Sequence, residues 1–246
     1  MKTWNNIIHL DSVPSTNSYV SELLKKEKLQ EGTIILTDYQ SAGKGIGKNA
    51  WESEKGKNLL FSIVLYPDFL KVSQQFMISK FVALAIQKYL AFKSRHISIK
   101  WPNDIYYTDK KIAGILIENS ITGVKINHSI IGIGININQT EFTSNAPNPI
   151  SLKQIIGDDF YLQDELVELK YHLAKYYNKL KYENFKDLNR EYLLNLYKYK
   201  VWCDYKTQDT LFRGKIIGVN DFGHLKVLTS DEEIKGFDMK EIEFIL

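Results

Sequence analysis

The run Ile131-Gly-Ile-Gly-Ile-Asn-Ile-Asn138 constrains what this chain can fold into more than any other segment. Its β-branched residues make it a strand, yet Gly132 and Gly134 weaken a strand interior. Glycines in such a place imply close approach by a ligand or by another backbone segment; a glycine-kinked bend is the alternative. Short apolar, β-branched or aromatic runs at 34–37, 59–66, 97–101 and 112–118 supply neighbours for this strand, read as 129–138. Asp109-Lys110 lies where a hairpin could close.

Helical spacing appears between these runs. Met77, Phe81, Leu84, Ala85 and Tyr89 predict an amphipathic helix over 74–92 packed on the sheet. Ser15 and Thr16 are suitable N-caps for an earlier helix reaching about Lys28. Asn145-Ala-Pro-Asn-Pro149 is a break, followed by two amphipathic segments at 162–180 and 185–197. These are basic and rich in tyrosine, but their charges are mixed in sign, which favours helices covering a sheet over a nucleic-acid surface. From Lys198 the character changes to short strands at 201–205, 211–219 and 224–228, with turn chemistry at Asn220-Asp-Phe-Gly223. The expectation is an α+β fold: a mixed or mostly antiparallel sheet with helices on one side, then a small SH3-like β-barrel. The division falls into 1–197 and 198–246, the second piece being near the lower limit for an independent core.

Composition narrows the chemistry. The chain has 246 residues, 44% of them hydrophobic and 25% charged, enough apolar material to offset chain entropy. Lys+Arg 32 against Asp+Glu 29 leaves +3, which can steer an anion but is no footprint of a dedicated nucleic-acid binder. The one cysteine, Cys203, can form neither an internal disulfide nor a zinc cluster. The histidines, His9, His96, His128, His172 and His224, are scattered, and no G-x-S-x-G elbow is present. Residues 1–10 carry Asn and His where a signal peptide would be apolar, and no run is long enough for a membrane span, so a cytoplasmic protein is expected.

Two segments carry the chemistry. Gly43-Lys-Gly-Ile-Gly47, preceded by Gln40 and followed by Lys48, can converge backbone N–H groups on an anion. It is neither a Walker A loop nor a dinucleotide G-x-G-x-x-G, and a flexible surface loop would look much the same. It lies within 38–56, a polar, glycine-rich stretch unusually long for a connection. The second is Lys100-Trp-Pro-Asn-Asp104, followed by Lys110-Lys-Ile-Ala-Gly-Ile-Leu-Ile-Glu118. The proline aims Asn103 and Asp104 from a strand end, and Lys111 opens a buried run, where a lysine is costly unless an anion accompanies it. A plain hairpin would explain Asp109 and Lys110 but not Trp101-Pro102-Asn103-Asp104.

In combination these segments resemble the bacterial biotin protein ligases (biotin–acetyl-CoA-carboxylase ligases). The resemblance runs in order through Ser15-Thr16-Asn17, Tyr39-Gln40-x-Ala-Gly-Lys-Gly45 and Trp51, then Lys100-Trp-Pro-Asn-Asp104, Lys111-Ile-Ala-Gly-Ile-Leu-Ile-Glu118, Gly132-Ile-Gly-Ile-Asn136 and the C-terminal β domain. It implies a class II synthetase-like catalytic fold and a two-step reaction. Biotin and ATP give biotinyl-5′-AMP and pyrophosphate; a lysine of a biotin carboxyl carrier domain then takes the biotinyl group. ATP with Mg²⁺ and biotin are the implied small molecules, with no tightly bound prosthetic group. Some members carry an N-terminal winged helix. Ser15-Thr16-Asn17 stands so near the first residue that the short class, without DNA binding, is expected; no membrane partner is expected, and pairing into a homodimer is left open.

The resemblance also assigns residues. Lys111 corresponds to the essential lysine at the biotin carboxylate and α-phosphate, and Lys44 stands where arginine is usual, keeping charge but losing the bidentate fork. Ser15, Thr16, Asn17 and Gln40 match residues at the ureido head; Gly43, Gly45 and Ile46 match the biotin loop; Gly114 and Gly132 match the wall beside the valeryl chain. Trp51, Asn103 and Asn136 are expected near ATP, and Asp104 at Mg²⁺ or just behind it. Ile46 and Lys48 depart from the usual polar residue and glycine. A lipoate–protein ligase is the nearest alternative and an inert module of the same fold a further one; a pocket of hydroxyls and amides suits biotin better than an apolar dithiolane.

Overall fold

The computed structural model describes residues 4–47, 49–143, 148–182, 185–208 and 210–245. Lys48 and residues 145–147 of the break therefore lie outside the described residues. The first sheet comprises β1 (Ile7–Leu10), β2 (Ile34–Thr37), β3 (Leu59–Leu65), β4 (Ile97–Lys100), β5 (Asp104–Tyr107), β6 (Lys110–Thr122) and β7 (Lys125–Ile135). Its order is β1-β2-β3-β7-β6-β5-β4, with β1 and β2 parallel and every other pair antiparallel. The glycine-bearing strand β7 sits at its centre, Gly132 opposite Ser62 of β3 and Leu116 of β6.

Helices α1 (Thr16–Leu24), α2 (Phe76–Lys93), α3 (Leu152–Ile156), α4 (Leu162–Tyr182) and α5 (Phe185–Leu194) complete this part. The expected one-sided arrangement is not what forms. Leucines, isoleucines and aromatics of α2, α4 and α5 share the main core with Ile34, Ile63 and Ile131. Val20 of α1 instead joins Ile35, Val64 and Ile130 on the opposite face. Adjacent strand residues point to opposite faces, so the central strands, apolar on both, need cover on both.

Other departures have local causes. The helix at α1 ends at Leu24, where a turn carries Lys26 N–H to Leu23 O. The last helix stops at Leu194 because Tyr197 N–H donates to Ile99 O, making 195–197 an edge partner of β4. Strands β1 and β5 and the short α3 are additions of five residues or fewer: β1 is paired by β2, β5 by its neighbours β4 and β6, and α3 is anchored where Leu152 N–H donates to Asn136 O.

Beyond these, β8 (Trp202–Lys206), β9 (Leu211–Val219), β10 (Leu225–Thr229), β11 (Ile234–Phe237) and β12 (Glu243–Phe244) form a separate antiparallel sheet, order β11-β10-β9-β8-β12. Tyr205 stacks on Phe212, which stacks in turn on Phe237. This sheet is tied to the first by the Trp101 indole N–H, which donates to Gly223 O at 2.8 Å.

Candidate active site

A cavity opens where the N-terminus of α1, the 38–56 segment, β6 and β7 meet. Of the predicted residues, Ser15, Thr16, Asn17, Gln40, Lys44, Gly45, Ile46, Trp51, Asn103, Asp104, Lys111, Gly114 and Gly132 all line it. Gly43 and Asn136 do not. Gly43 sits behind the loop, its carbonyl accepting from Trp51 N–H. Asn136 lies beneath the floor, its Nδ2 donating to Ile150 O.

One end of the cavity is neutral and polar. Ser15 is the N-cap of α1 in extended conformation, yet its hydroxyl makes no capping bond. Thr16 donates its backbone N–H to Gln40 Oε1 at 2.8 Å. Asn17 is 2% exposed and held at both ends of its amide: Nδ2 donates to Glu118 Oε2 at 2.7 Å, and Oδ1 accepts from Ser62 Oγ at 2.6 Å. The need for glycine at 132 follows, since a Cβ there would lie 2.4 Å from Asn17 Oδ1. It is Asn17 that approaches this strand, rather than a kink forming in it.

The other end is charged. Lys111 Nζ lies 2.7 Å from Asp104 Oδ1 and 5.6 Å from the centroid of the Trp51 ring. The register of β5 against β6, with a bulge at Ile105/Tyr106, sets Tyr106 opposite Lys111 and Asp104 opposite Gly114. Lys111 is held from the other side too, its backbone N–H donating to Asn148 O and its carbonyl accepting from Ile150 N–H. Asn103 caps the end of the wall, Nδ2 donating to Ile115 O at 2.7 Å. Lys100 turns away toward the second sheet, 3.0 Å from Tyr106 Oη and over the Phe244 ring. Burial holds its ammonium below the ordinary lysine range; Asp104 opposes that effect and Lys111 reinforces it.

Between the two ends the Trp51 ring lies across the glycines of both strands: a Cβ on Gly134 would meet its Cε2 at 2.4 Å and one on Gly114 its Cζ3 at 2.9 Å. The glycine-rich segment is not structureless. Gly45 N–H donates to Asn49 O and Lys44 pairs with Ala50 as an isolated bridge, so it folds back on itself and delivers Trp51 to the sheet. The Trp51 Nε1 donor and the Asn136 Oδ1 acceptor are buried without hydrogen-bond partners among the described residues. Such atoms carry a desolvation cost, which at Trp51, on the cavity wall, a polar ligand would remove.

Among the described residues, Asp104 is the one acidic residue lining the cavity, and no group of three or more His, Cys, Asp or Glu could hold a metal. That donor set fits a hard cation bound chiefly through a substrate's phosphates, as Mg²⁺ commonly is, with Asp104 the nearest carboxylate. Sequence reasoning did not select Ser62 or Asn49, and marked Gly134 as a point of close approach without giving it a role in the site. The signal for Ser62 was a single hydroxyl in the otherwise apolar run Leu59–Leu65.

The profile of the biotin/lipoate A/B protein ligase family matches residues 10–136, just over half of the chain and every element bordering the cavity. The chain belongs to that family. Among relatives of this biotin/lipoate ligase family member, the bifunctional ligase/repressor BirA of Bacillus spizizenii is 30% identical over 246 residues, covering 97% of this chain and 74% of that protein. Human biotin–protein ligase is 27% identical, covering 93% of this chain and 32% of its own length. The biotin protein ligase of Aquifex aeolicus, solved in complex with biotin and ATP, matches at TM-score 0.80 and 26% identity, covering 98% of this chain and 99% of that one.

Proposed function

We propose that this protein is an ATP-dependent biotin protein ligase, which makes biotinyl-5′-AMP and passes the biotinyl group to a lysine of a biotin carboxyl carrier domain. The observation that carries this reading is one cavity with hydroxyls and amides at one end and Lys111 at the other, Lys44 also lining it. A bicyclic urea with an acid tail has that distribution of polarity. A dithiolane would leave Thr16, Asn17 and Gln40 facing an apolar ring, which disfavours the lipoate alternative. The relatives named biotin–protein ligase and the Aquifex complex with biotin and ATP support the same choice.

The first step joins two anions. Biotin's carboxylate oxygen attacks the α-phosphorus of ATP and the bond to the β-phosphoryl oxygen breaks, releasing pyrophosphate. Lys111 and Lys44 offset the repulsion between the reactants and the charge that builds as they approach. Mg²⁺, held through the phosphates beside Asp104, would add positive charge there. In the second step the carrier lysine's amine attacks the acyl carbon, AMP departs, and the amine's proton passes to solvent. No nucleophile need come from this chain, so its residues act by positioning and electrostatics.

Trp51 and the loop that carries it lie where the acyl chain must pass, so we read 38–56 as a lid that opens for substrates and closes over the adenylate. We also place a domain division at 197/198, where the chain leaves Ile99 of β4 for Ile216 of β9. A cytoplasmic setting fits the single cysteine; among the described residues no helix is long and apolar enough to cross a membrane. The deciding experiment is pyrophosphate release from ATP with Mg²⁺ and either biotin or lipoate. Release with biotin at least about 100-fold faster than with lipoate is expected from unpaired polar groups in the head pocket; the reverse order would overturn the reading.

A further inference from the structure

Strand β3 is buried along its whole length, and Ser62 is its only hydroxyl, 0% exposed and opposite Gly132. A hydroxyl in that position is costly unless bonded. Ser62 Oγ lies 2.6 Å from Asn17 Oδ1 and 2.7 Å from Thr16 Oγ1, so it bridges two adjacent residues that line the cavity.

The direction of these bonds follows from the end of the chain. Glu118 Oε2 and Leu116 O only accept, and both face Asn17 Nδ2, at 2.7 and 3.3 Å. Asn17 therefore turns Oδ1 toward Ser62, whose single proton goes to it. Ser62 Oγ is then left as an acceptor, and the hydroxyl within reach is that of Thr16. Two hydroxyl oxygens 2.7 Å apart need a proton between them, and with that of Ser62 on Asn17 it comes from Thr16; Gln40 Oε1, the other acceptor near Thr16 Oγ1, lies farther off at 3.2 Å and takes the Thr16 N–H at 2.8 Å. The proton of Thr16 therefore points to Ser62, which leaves Thr16 Oγ1 an acceptor on a residue that lines the cavity.

We propose that Ser62 is a positioning and specificity-determining residue: with Glu118 fixing the direction, it makes the head-group end of the cavity an acceptor of hydrogen bonds, suited to a ligand that presents N–H donors there. This rests on the biotin ligase reading, since a urea ring carries two such donors, but it assigns a role to two residues that never touch the substrate. Removing Ser62 frees Thr16 to turn its proton into the cavity, where it would meet a donor, and leaves Asn17 held by Glu118 and Leu116 alone.

The test is biotin-dependent ATP–pyrophosphate exchange by the full chain, with KM measured separately for biotin and ATP. Ser62→Ala should raise the biotin KM by about 10- to 100-fold, the effect of one misdirected buried hydrogen bond, with kcat and the ATP KM within about 3-fold of the parent. Glu118→Ala changes an exposed residue and so tests the same chain should Ser62→Ala not fold; its biotin KM should rise by about 3- to 10-fold. An active parent whose biotin KM is unchanged in both variants overturns the inference alone. So does a variant in which both KM values and kcat worsen together, which marks a merely structural role. A parent with no exchange on biotin overturns the ligase reading, and the inference falls with it.

Discussion

Lys111 carries the heaviest electrostatic demand of any single residue. Its ammonium borders the cavity with Asp104 as ion-pair partner at 2.7 Å, so it is oriented before any substrate arrives. Replacing it with Ala leaves Asp104 without its ion-pair partner beside the reacting anions, which exchanges an attraction for a repulsion at that point. Lys111→Ala should lower biotin-dependent pyrophosphate exchange by about 10²–10³-fold or more, as removal of one preorganised charge-stabilising group does, while circular dichroism stays that of the parent. Gly132 tests a different kind of demand. Its missing Cβ makes room for an Asn17 amide that Ser62 and Glu118 hold in place, so the neighbour cannot yield. Gly132→Ala should therefore cost about 1–3 kcal/mol in urea unfolding. At Gly134 the obstruction is the Trp51 ring on a loop, and the same substitution should cost less. That glycines in this strand mark a close approach was legible in the residues alone. That Asn17 and Trp51 make the approach was not, because it depends on pairing between segments about a hundred residues apart.

At the scale of elements, the long helices and strands were legible from their spacing, whereas the short edge strands β1, β11 and β12 were not, since backbone pairing with a neighbouring strand, rather than a pattern of their own, creates them. Helix α2 shows how packing alters what a pattern suggests. Apolar residues at helical spacing predict one buried face, but Lys80 is 1% exposed as well, because α4 and α5 pack on α2 and leave it little contact with water. Its ammonium donates to Asn189 Oδ1 at 2.7 Å and lies over the rings of Phe76 and Tyr192. Burial pushes its pKa down to about 8, with Asp221 opposing. An unfolded lysine titrates at 10.5, so between pH 8 and 10.5 the unfolded chain holds a proton that the folded chain has lost. Stability of the parent therefore rises with pH across that window relative to a variant without the lysine. Below pH 8 the charge is buried in full, at a cost of up to about 3 kcal/mol before its bonds are counted. Lys80→Met should be the more stable protein at pH 7, and its advantage should shrink between pH 8 and 10 in urea titrations. A constant difference across those pH values would mean that Lys80 keeps its proton in the fold.

For the whole molecule, the question is whether the two sheets behave as one cooperative unit. The second sheet is small, and four of its five strands have five residues or fewer, each with exposed or half-exposed positions, so by itself it has a thin core. Beside the packing of Phe244 on Tyr197, it is joined to the first part at the turn after β9. There Gly223 has a positive φ of 97°, its carbonyl accepts from the buried Trp101 indole, and a Cβ on it would lie 2.5 Å from the Phe76 ring. Trp101 belongs to the same Lys100-Trp-Pro-Asn-Asp104 segment that places Asn103 and Asp104 at the cavity, so one short stretch serves both the joint and the site. Gly223→Ala combines a strained backbone with a clash against an aromatic anchor of α2, and should cost about 2–4 kcal/mol. If the sheets fold as one unit, calorimetry will show a single transition moved lower, with exchange activity falling in step. If instead the variant shows an early transition for the second sheet while the first melts where the parent does, the joint holds the sheets together without coupling their stability.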